Sequence, residues 1–300
     1  MDTAEVILSL LVVVIIIVSL LSNVLVLICF AYNPEIRKQV PCLFNLNLTF
    51  CNLLLTVSNM PLTLAGLVRE AQPAGDGFCR LLGFLETFLS TNSMLSMAAL
   101  SIDRWIAVVF PLRYHSKMRH KDAALVLGYT WAHSVSFSTA AACLSWVGYH
   151  RLYASCTLSS PGAGSRTQFV IFTVFFHSFT FLLSFVVLCF TYLKVLKVAR
   201  FHCKRIDVIT MQTLVLLVDI HPRIVELFPA VPINPHWGIV SKCLAYSKAA
   251  CDPFVYSLLR HQYKQTCTDI VNKLLKRSPL NASGRMAQPE NQGSSLPTAE

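Results

Sequence analysis

The stretch that decides the fold runs from Cys79 to Phe110 and reads CRLLGFLETFLSTNSMLSMAALSIDRWIAVVF. Apolar residues dominate it, and Arg104 follows Cys79 by 25 residues. In an α-helix this spacing covers about 37 Å, which exceeds the roughly 30 Å of a bilayer core. The stretch therefore predicts a membrane-crossing helix with a cysteine near one end and the Asp103–Arg104 pair near the other.

Further apolar runs lie on both sides of this stretch. A helix needs roughly 20 residues to cross the hydrocarbon core, and each of these runs is long enough. The predicted spans cover about residues 6–31, 42–67, 78–110, 123–147, 168–196 and 237–258. The predicted fold class is therefore all-α, a multi-span transmembrane helix bundle.

The composition supports a membrane protein. Hydrophobic residues make up 54% of the chain, charged residues 13%, and the mean hydropathy is +0.56, whereas a soluble domain has roughly 25% charged residues. So few charges cannot cover a water-facing surface, which excludes a cytosolic enzyme and an intrinsically disordered protein. The net charge of +10 indicates basic cytoplasmic loops rather than a nucleic-acid partner. The cysteines show no zinc-site spacing, so we expect no metal.

Basic residues sort the loops by side. The loops after the first, third and fifth spans are basic, and the positive-inside rule marks them as cytoplasmic. Their basic residues are Arg37, Lys38, Arg113, Lys117, Arg119, Lys121, Lys194, Lys197, Arg200, Lys204 and Arg205. We therefore expect a multi-pass protein with an uncleaved first span and an extracellular amino terminus.

The segment after the last span has a different pattern. Residues 259–277 place apolar side chains on one helical stripe and lysines off it, which predicts an interfacial amphipathic helix along the membrane. Cys267 on the apolar stripe is either a palmitoylation site or a plain buried thiol. Residues 278–300 are rich in Pro, Ser, Asn and Gln, which predicts a disordered cytoplasmic tail.

Several short motifs occur in an order that is typical of one receptor family. They are Asn23, Asp103-Arg104-Trp105, Phe110-Pro111-Leu112, Trp131, Tyr192 and Asp252-Pro253-Phe254-Val255-Tyr256. Together they resemble the motifs of rhodopsin-like (class A) G-protein-coupled receptors of the orphan type. The resemblance covers about residues 6–277. It implies a seven-helix plasma-membrane receptor with a heterotrimeric G protein and an unknown extracellular ligand as partners, embedded in the lipid bilayer and without a cofactor.

The resemblance also implies roles for individual residues. Cys79 and Cys156 both fall on the extracellular side, where a disulfide between them is expected. Arg104 is expected to be held at rest by Asp103 and to swing toward the G protein on activation. The residues implied in this coupling switch are Asp103, Arg104, Trp105, Leu112, Tyr192 and Tyr256.

This chain departs from the family pattern inside the bundle. The family usually has Asp in the second span and Asn in the last, whereas this chain has Asn52 and Asp252. A buried carboxylate needs a partner in the membrane, and Lys248 lies one helical turn before Asp252, so a cation bound there would compete with Lys248. We assign a buried polar network to Asn23, Asn52, Ser93, Lys248 and Asp252.

Two other features of the second span are expected to be less specific. Asn45, Asn52 and Asn59 recur every seven residues, and we expect Asn45 and Asn59 to make interhelical hydrogen bonds. Asn47-Leu-Thr49 matches a glycosylation sequon, but it lies inside a span and is expected to stay unused.

Glu86 is the leading candidate for a ligand pocket. It lies 18 residues before Arg104, which is five helical turns, so both face the same side. Amine receptors of the family carry an acid at this place. Two alternatives are an internal salt bridge with Lys242 and a neutral, protonated glutamic acid.

The sixth helix that the resemblance implies is the weakest part of the sequence. Residues 206–231 are long enough to cross a membrane but would place Asp219 near its centre, at a cost of roughly 2.5–3.5 kcal/mol. With six spans instead, the final helix would be inverted. The join near Pro222-Arg223 resembles an internal deletion that removes most of the sixth helix.

Two classes of function remain. The first is a receptor that transduces an extracellular stimulus or basal activity to a G protein, impaired by loss of the sixth helix. The second is a non-signalling truncated receptor isoform that modulates membrane partners. No Ser/His/Asp, metal or phosphate-loop constellation is found, so we expect no enzyme, and the absence of repeat symmetry argues against a transporter.

Overall fold

The computed structural model describes residues 3–69, 71–72, 75–159, 166–198, 235–258 and 260–277. The predicted weak span at 206–231 and the predicted tail at 278–300 lie outside these residues.

The first half of the chain forms helices over the first three predicted spans. The helices are α1 Thr3–Tyr32, α2 Pro34–Arg37, α3 Pro41–Ser58, α4 Met60–Arg69 and α5 Asp76–Val109. Proline begins both α2 and α3, where its missing N–H costs nothing. The span predicted at 42–67 is divided at Asn59 into α3 and α4.

The second half adds the remaining helices and one hairpin. Its elements are α6 Tyr114–Lys117, α7 His120–Cys143, β1 Val147–His150, β2 Ser155–Leu158, α8 Arg166–His177, α9 Leu183–Val198, α10 Pro235–Pro253 and α11 His261–Arg277. Short π-helical segments, Ser178–Leu182 and Phe254–Leu258, follow α8 and α10. Helix α11 thus covers residues 261–277 of the predicted interfacial segment 259–277.

The hairpin is an addition to the predicted all-α bundle. Strands β1 and β2 are antiparallel, with Tyr149 opposite Cys156. The span predicted to reach residue 147 ends at Cys143, because the chain turns through a positive φ at Ser145 and enters β1. The helical fold class is confirmed, with this hairpin covering one end of the bundle, which we call the hairpin end.

The helices bury polar side chains and expose apolar ones, as expected in lipid. On α1, Ile7 and Leu21 are 60% and 68% exposed, whereas Asn23 is 0% exposed. Its most apolar 18-residue window has a mean hydropathy of 3.2. Helix α5 lies at the centre, in contact with α3, α7 and α9, and α1 packs on α3 and α10.

A disulfide fixes the hairpin to the bundle. Cys79 of α5 and Cys156 of β2 are bonded, with their Cα atoms 5.3 Å apart. The hairpin packs so closely that a Cβ atom on Gly83 of α5 would overlap the Val147 side chain. The disulfide bonds β2 to α5, and the missing side chain of Gly83 allows β1 to pack closely against the same helix.

We predict that Cys79→Ser and Cys156→Ser each reduce the surface level and thermal stability of the protein. Loss of a native disulfide typically costs about 2–5 kcal/mol. Mass spectrometry after alkylation should find Cys79 and Cys156 linked until reduction. The exposed free thiol of Cys143 provides the control, since Cys143→Ser should change neither measurement. Recovery of both cysteines as free thiols from surface protein would contradict the prediction.

Candidate functional site

At the end opposite the hairpin, Asp103 is the centre of a hydrogen-bonded cluster. Its carboxylate is 0% exposed. The Tyr114 hydroxyl donates to Asp103 Oδ1 at 2.6 Å, and Arg104 Nη2 lies 3.4 Å from Asp103 Oδ2. The Arg104 side chain is 40% exposed, so this contact holds a partly solvated guanidinium next to a buried acid. We call this end of the bundle the Arg104 end.

Charges around this cluster shift two pKa values. Burial and the Asp103 carboxylate raise the pKa of the Tyr114 phenol, so it stays protonated and continues to donate. Burial, and then the positive charge of Arg104, lower the pKa of Arg260 to about 10. Arg260 therefore remains charged at neutral pH, and the Arg104 end carries more positive than negative charge.

Two of the other residues predicted for the coupling switch, Trp105 and Leu112, have described side chains. The Trp105 ring of α5 lies 5.9 Å from the rings of Phe110 and Phe190, so it packs against α9. Leu112 is 101% exposed, an apolar side chain entirely in contact with solvent. Tyr192 and Tyr256 lie on helical backbone, but their side chains are outside the described part of the chain.

In the middle of the bundle, four side chains from three helices form a closed ring. Lys248 Nζ of α10 donates to Ser93 Oγ of α5 at 2.5 Å and to Asp252 Oδ2 at 2.9 Å. Ser93 Oγ donates to Asn52 Oδ1 at 3.3 Å, and Asn52 Nδ2 of α3 donates to Asp252 Oδ2 at 3.1 Å. Asn52 and Asp252 are each 1% exposed. Lys248 thus supplies the positive charge that a buried carboxylate requires.

Asn23 connects α1 to α10 beside this ring rather than joining it. Its Nδ2 donates to the carbonyl oxygens of Ser19 at 2.8 Å and Ala249 at 2.9 Å. Ser22 Oγ makes a similar bond to the Ala250 carbonyl oxygen at 3.3 Å. These bonds to backbone oxygens fix the contact between α1 and α10 at Ala249 and Ala250, the two residues that follow Lys248.

A second polar cluster was missed by sequence reasoning. Asn47 Nδ2 of α3 donates to Asn92 Oδ1 and Ser96 Oγ of α5, at 2.5 and 2.8 Å. Trp131 Nε1 of α7 donates to Asn47 Oδ1 at 2.8 Å. The sequence did carry a signal for it. An unpaired amide is costly inside a membrane span, so Asn47 requires a hydrogen-bond partner at the same depth.

The heptad stripe of asparagines is only partly engaged. Among the described residues, Asn59 Nδ2 donates to its neighbour Ser58 Oγ at 2.9 Å, so the prediction of an interhelical bond is wrong for Asn59. Within the same described ranges, Asn45 Oδ1 is buried without a hydrogen bond. The physical reason is depth: Asn45, Asn52 and Asn59 lie on one stripe, since seven residues make nearly two turns, but only Asn52 lies level with Ser93 and Asp252.

Near the hairpin end, Glu86 of α5 and Lys242 of α10 form an ion pair. Their residues are 8% and 3% exposed, so both charges are removed from water. Lys242 Nζ also lies 5.4 Å from the centre of the Tyr246 ring. The internal salt bridge, one of the alternatives open from the sequence, is therefore the arrangement in this structure.

Cys267 on α11 points toward α1 in this arrangement. Its Sγ atom lies 3.3 Å from Sγ of Cys29, which is 0% exposed. The two thiols pack with Val26, Ile36 and Tyr263 in one apolar cluster. A lipid on Cys267 would require this side chain to turn away from Cys29.

The site as a whole consists of three charged positions along α5. They are the Arg104 end, where α5 meets α6, the central ring with α3 and α10, and the Glu86–Lys242 pair with α10. Across the described ranges, no group of three or more His, Cys, Asp and Glu side chains could hold a metal ion. Such an arrangement suits binding and the exchange of ion-pair partners between helices.

Comparison with known proteins gives a match over most of the chain. Residues 22–256 match the family model described as 7 transmembrane receptor (rhodopsin family). The chain is 58% identical to human G-protein coupled receptor 26, with 94% of this chain and 95% of that protein covered. It is 42% identical to human G-protein coupled receptor 78, covering 94% and 88%. It is 26% identical to mouse galanin receptor type 1, covering 82% and 76%.

The alignments with the first two of these relatives contain more positions than the residues of this chain that they cover. The aligned 94% of its 300 residues is about 282 residues, whereas each alignment has 321 positions. About 39 aligned positions therefore have no counterpart here. Since a membrane crossing needs roughly 20 residues, the missing positions together could contain a whole span and a loop.

Proposed function

Because this chain belongs to the rhodopsin family of seven-transmembrane receptors, we propose that it couples an extracellular stimulus, or its own basal activity, to a heterotrimeric G protein. The family consists of receptors, so the chain is a multi-pass membrane receptor and not an enzyme. We further propose that it lies in the plasma membrane with the amino terminus and the hairpin end outside. The disulfide at the hairpin end supports this orientation, since disulfides persist in oxidising compartments.

The observation that carries the proposal is the cluster at the Arg104 end. Arg104 contacts the buried Asp103 at 3.4 Å while remaining 40% exposed, so water can already solvate its guanidinium as it moves away from the carboxylate. Tyr114 would continue to satisfy Asp103 Oδ1 after Arg104 moves. Leu112, fully exposed nearby, supplies an apolar contact for the G protein. A polar switch beside an apolar side chain is suited to binding a transducer.

The alignments support a second part of the proposal, that coupling is impaired. The predicted weak span at 206–231 falls in the sequence between α9 and α10, outside the described residues. About 39 positions of the alignments with both relatives have no counterpart in this chain, which supports loss of most of an ordinary sixth helix.

The alternative function is that of a truncated isoform that does not signal and modulates membrane partners. It retains the described scaffold but lacks the outward movement of a sixth helix that G-protein activation requires in this family. The two functions predict different results for a chain in which the missing segment is restored. An impaired receptor should then signal, whereas the non-signalling isoform should still not signal.

A G-protein recruitment assay tests the proposal. We would compare this chain with a chimera in which residues 199–234 are replaced by the corresponding segment of human G-protein coupled receptor 26. At equal surface expression, the chimera should recruit a G protein in a panel of Gα subunits, and this chain should stay near background. Robust recruitment by this chain would contradict impairment. A chimera that reaches the cell surface but recruits no G protein would favour the non-signalling alternative.

The same assay tests the residues of the Arg104 end. In the chimera, Arg104→Ala and Leu112→Ala should each weaken recruitment on the order of tenfold, through loss of a charged hydrogen bond and of buried apolar area. Leu144→Ala is the matched control, because Leu144 is 52% exposed but lies beyond α7 at the hairpin end. Unchanged recruitment by both variants would remove these residues from the mechanism.

A further inference from the structure

Two cysteine thiols meet where α11 packs on α1. Cys267 Sγ of α11 lies 3.3 Å from Cys29 Sγ of α1, although the two residues are 238 positions apart in the sequence. Cys29 is 0% exposed, whereas Cys267 is partly exposed. Cys29 lies one helical turn before the end of α1 at Tyr32, so the pair is close to the basic loop that the positive-inside rule marks as cytoplasmic. The fold thus brings one buried and one partly exposed thiol into contact.

Hydrogen bonds beside the two thiols hold the helices in this register. Asn33 Nδ2, just after α1, donates to Thr266 Oγ1 of α11 at 2.8 Å, and Gln39 Nε2 donates to Gln262 Oε1 at 2.5 Å. Thr266 is the residue next to Cys267. The sulfur atoms of a disulfide are about 2.05 Å apart, so this pair needs to approach by only about 1.3 Å. Rotation of the two side chains can supply a shift of this size while both helices stay in place.

The cytoplasmic position determines when such a bond could form. The cytosol keeps thiols reduced, and the disulfides that do form there are usually transient and redox-sensing. A peroxide-sensing thiol is accessible to solvent and has a second thiol beside it that resolves the first oxidation product. Cys267 meets the first condition through its partial exposure, and Cys29 meets the second through its position.

We propose that Cys29 and Cys267 form a reversible disulfide on exposure to hydrogen peroxide. The Cys267 sulfur attacks one peroxide oxygen, the O–O bond breaks, and the thiol proton leaves with the other oxygen as water. The Cys29 sulfur then attacks the sulfur of the Cys267 sulfenic acid, the S–O bond breaks, and the hydroxyl group leaves with the Cys29 proton as a second water. Two thiols lose two electrons in total, and one peroxide molecule is reduced to two water molecules.

The disulfide fastens α11 to α1 by a covalent bond. α11 begins directly after Arg260, whose charge lies close to that of Arg104, so the bond restrains a helix next to the Arg104 end. A sulfur atom in a disulfide cannot also carry a thioester, so the bond excludes a lipid on Cys267. The proposal therefore concerns a covalent modification and goes beyond the proposed receptor function.

Mass spectrometry of the purified full chain tests the proposal without any G protein. Neutral hydroxylamine is applied first and then removed, because it cleaves a thioester but not a disulfide, so Cys267 starts as a free thiol. The protein in detergent is treated with increasing concentrations of hydrogen peroxide, alkylated and digested without reductant. The main product at both residues should be a peptide with Cys29 linked to a peptide with Cys267, and dithiothreitol should separate the two.

Single substitutions separate the roles of the two thiols. In Cys29→Ser, sulfenic acid should accumulate at Cys267, where dimedone traps it, because the resolving thiol is missing. In Cys267→Ser, Cys29 should stay a free thiol because it is buried. Cys42→Ser is the matched control, since Cys42 is 4% exposed and packs in the same apolar cluster. This variant should still form the linked peptides.

Two results would overturn the proposal. One is that Cys29 and Cys267 stay unlinked at peroxide concentrations that oxidise the exposed thiol of Cys143. The other is that Cys267 is linked to Cys42 as often as to Cys29. Both results are read from peptides of the original chain, so they hold even if a variant folds poorly. Neither depends on G-protein coupling, so a failure of this proposal and a failure of the proposed function are distinguishable.

Discussion

Asp252→Asn should lower the free energy of unfolding of the purified protein by about 3–5 kcal/mol, because it leaves a buried ammonium without its counter-charge. Lys248 Nζ lies 2.9 Å from Asp252 Oδ2, and Asp252 is 1% exposed. The change is nearly isosteric, so the loss measures charge rather than volume. Thermal unfolding in detergent, followed beside the unsubstituted chain, gives the comparison.

Adding Asn52→Asp should partly reverse this loss. Asn52 is hydrogen-bonded to both Ser93 and Asp252, so a carboxylate at position 52 restores a negative charge to the ring around Lys248. We expect a coupling free energy of about 0.5–3 kcal/mol between the two positions. Asn59→Asp on the same helix is the matched control, because Asn59 bonds Ser58 and not the ring. A double variant no more stable than the sum of the single effects would show that positions 52 and 252 do not interact.

Lys242→Met should cost a similar 3–5 kcal/mol, roughly, because Glu86 would stay buried without its partner. Replacing both residues by Met should recover most of the loss, since an apolar pair of similar size carries no desolvation penalty. Unfolding in detergent of the original chain, Lys242→Met, Glu86→Met and the double variant forms a complete thermodynamic cycle.

The exposed pair Glu35–Lys38 supplies the control. Both side chains are 70% exposed, so Lys38→Met should change the free energy of unfolding by less than about 1 kcal/mol. Two results would contradict the buried-pair interpretation. One is a Lys242→Met variant as stable as the original chain, and the other is a double variant less stable than either single one.

Several features of the fold could be predicted from local sequence. The apolar stretch from Cys79 to Phe110 predicted the length of α5 and the end that carries Arg104. Cys79 and Arg104 are 25 residues apart, and the observed helix spans Asp76–Val109. The division of the second span had a local signal as well, since Pro61 follows the break at Asn59 by two residues. The early end of α7 could not be predicted in this way, because it depends on the hairpin, whose strand β1 begins only four residues after Cys143.

The candidate site was predictable where its partners lie on one helix. Lys248 and Asp252 are one turn apart, so their pairing followed from helical spacing alone. Asn47 shows the opposite case. Its partners, Asn92, Ser96 and Trp131, come from two other helices, and its position within α3 does not identify them.

The membrane explains this division between local and long-range information. Hydrocarbon imposes length and apolar character on each segment separately, so the helical class and the positions of the long apolar helices are encoded locally in this sequence. Partner choice requires the packed bundle. Each residue along a helix turns the side chain by about 100°, so whether Glu86 meets Lys242 depends on the rotation and depth of α5 and α10 relative to each other.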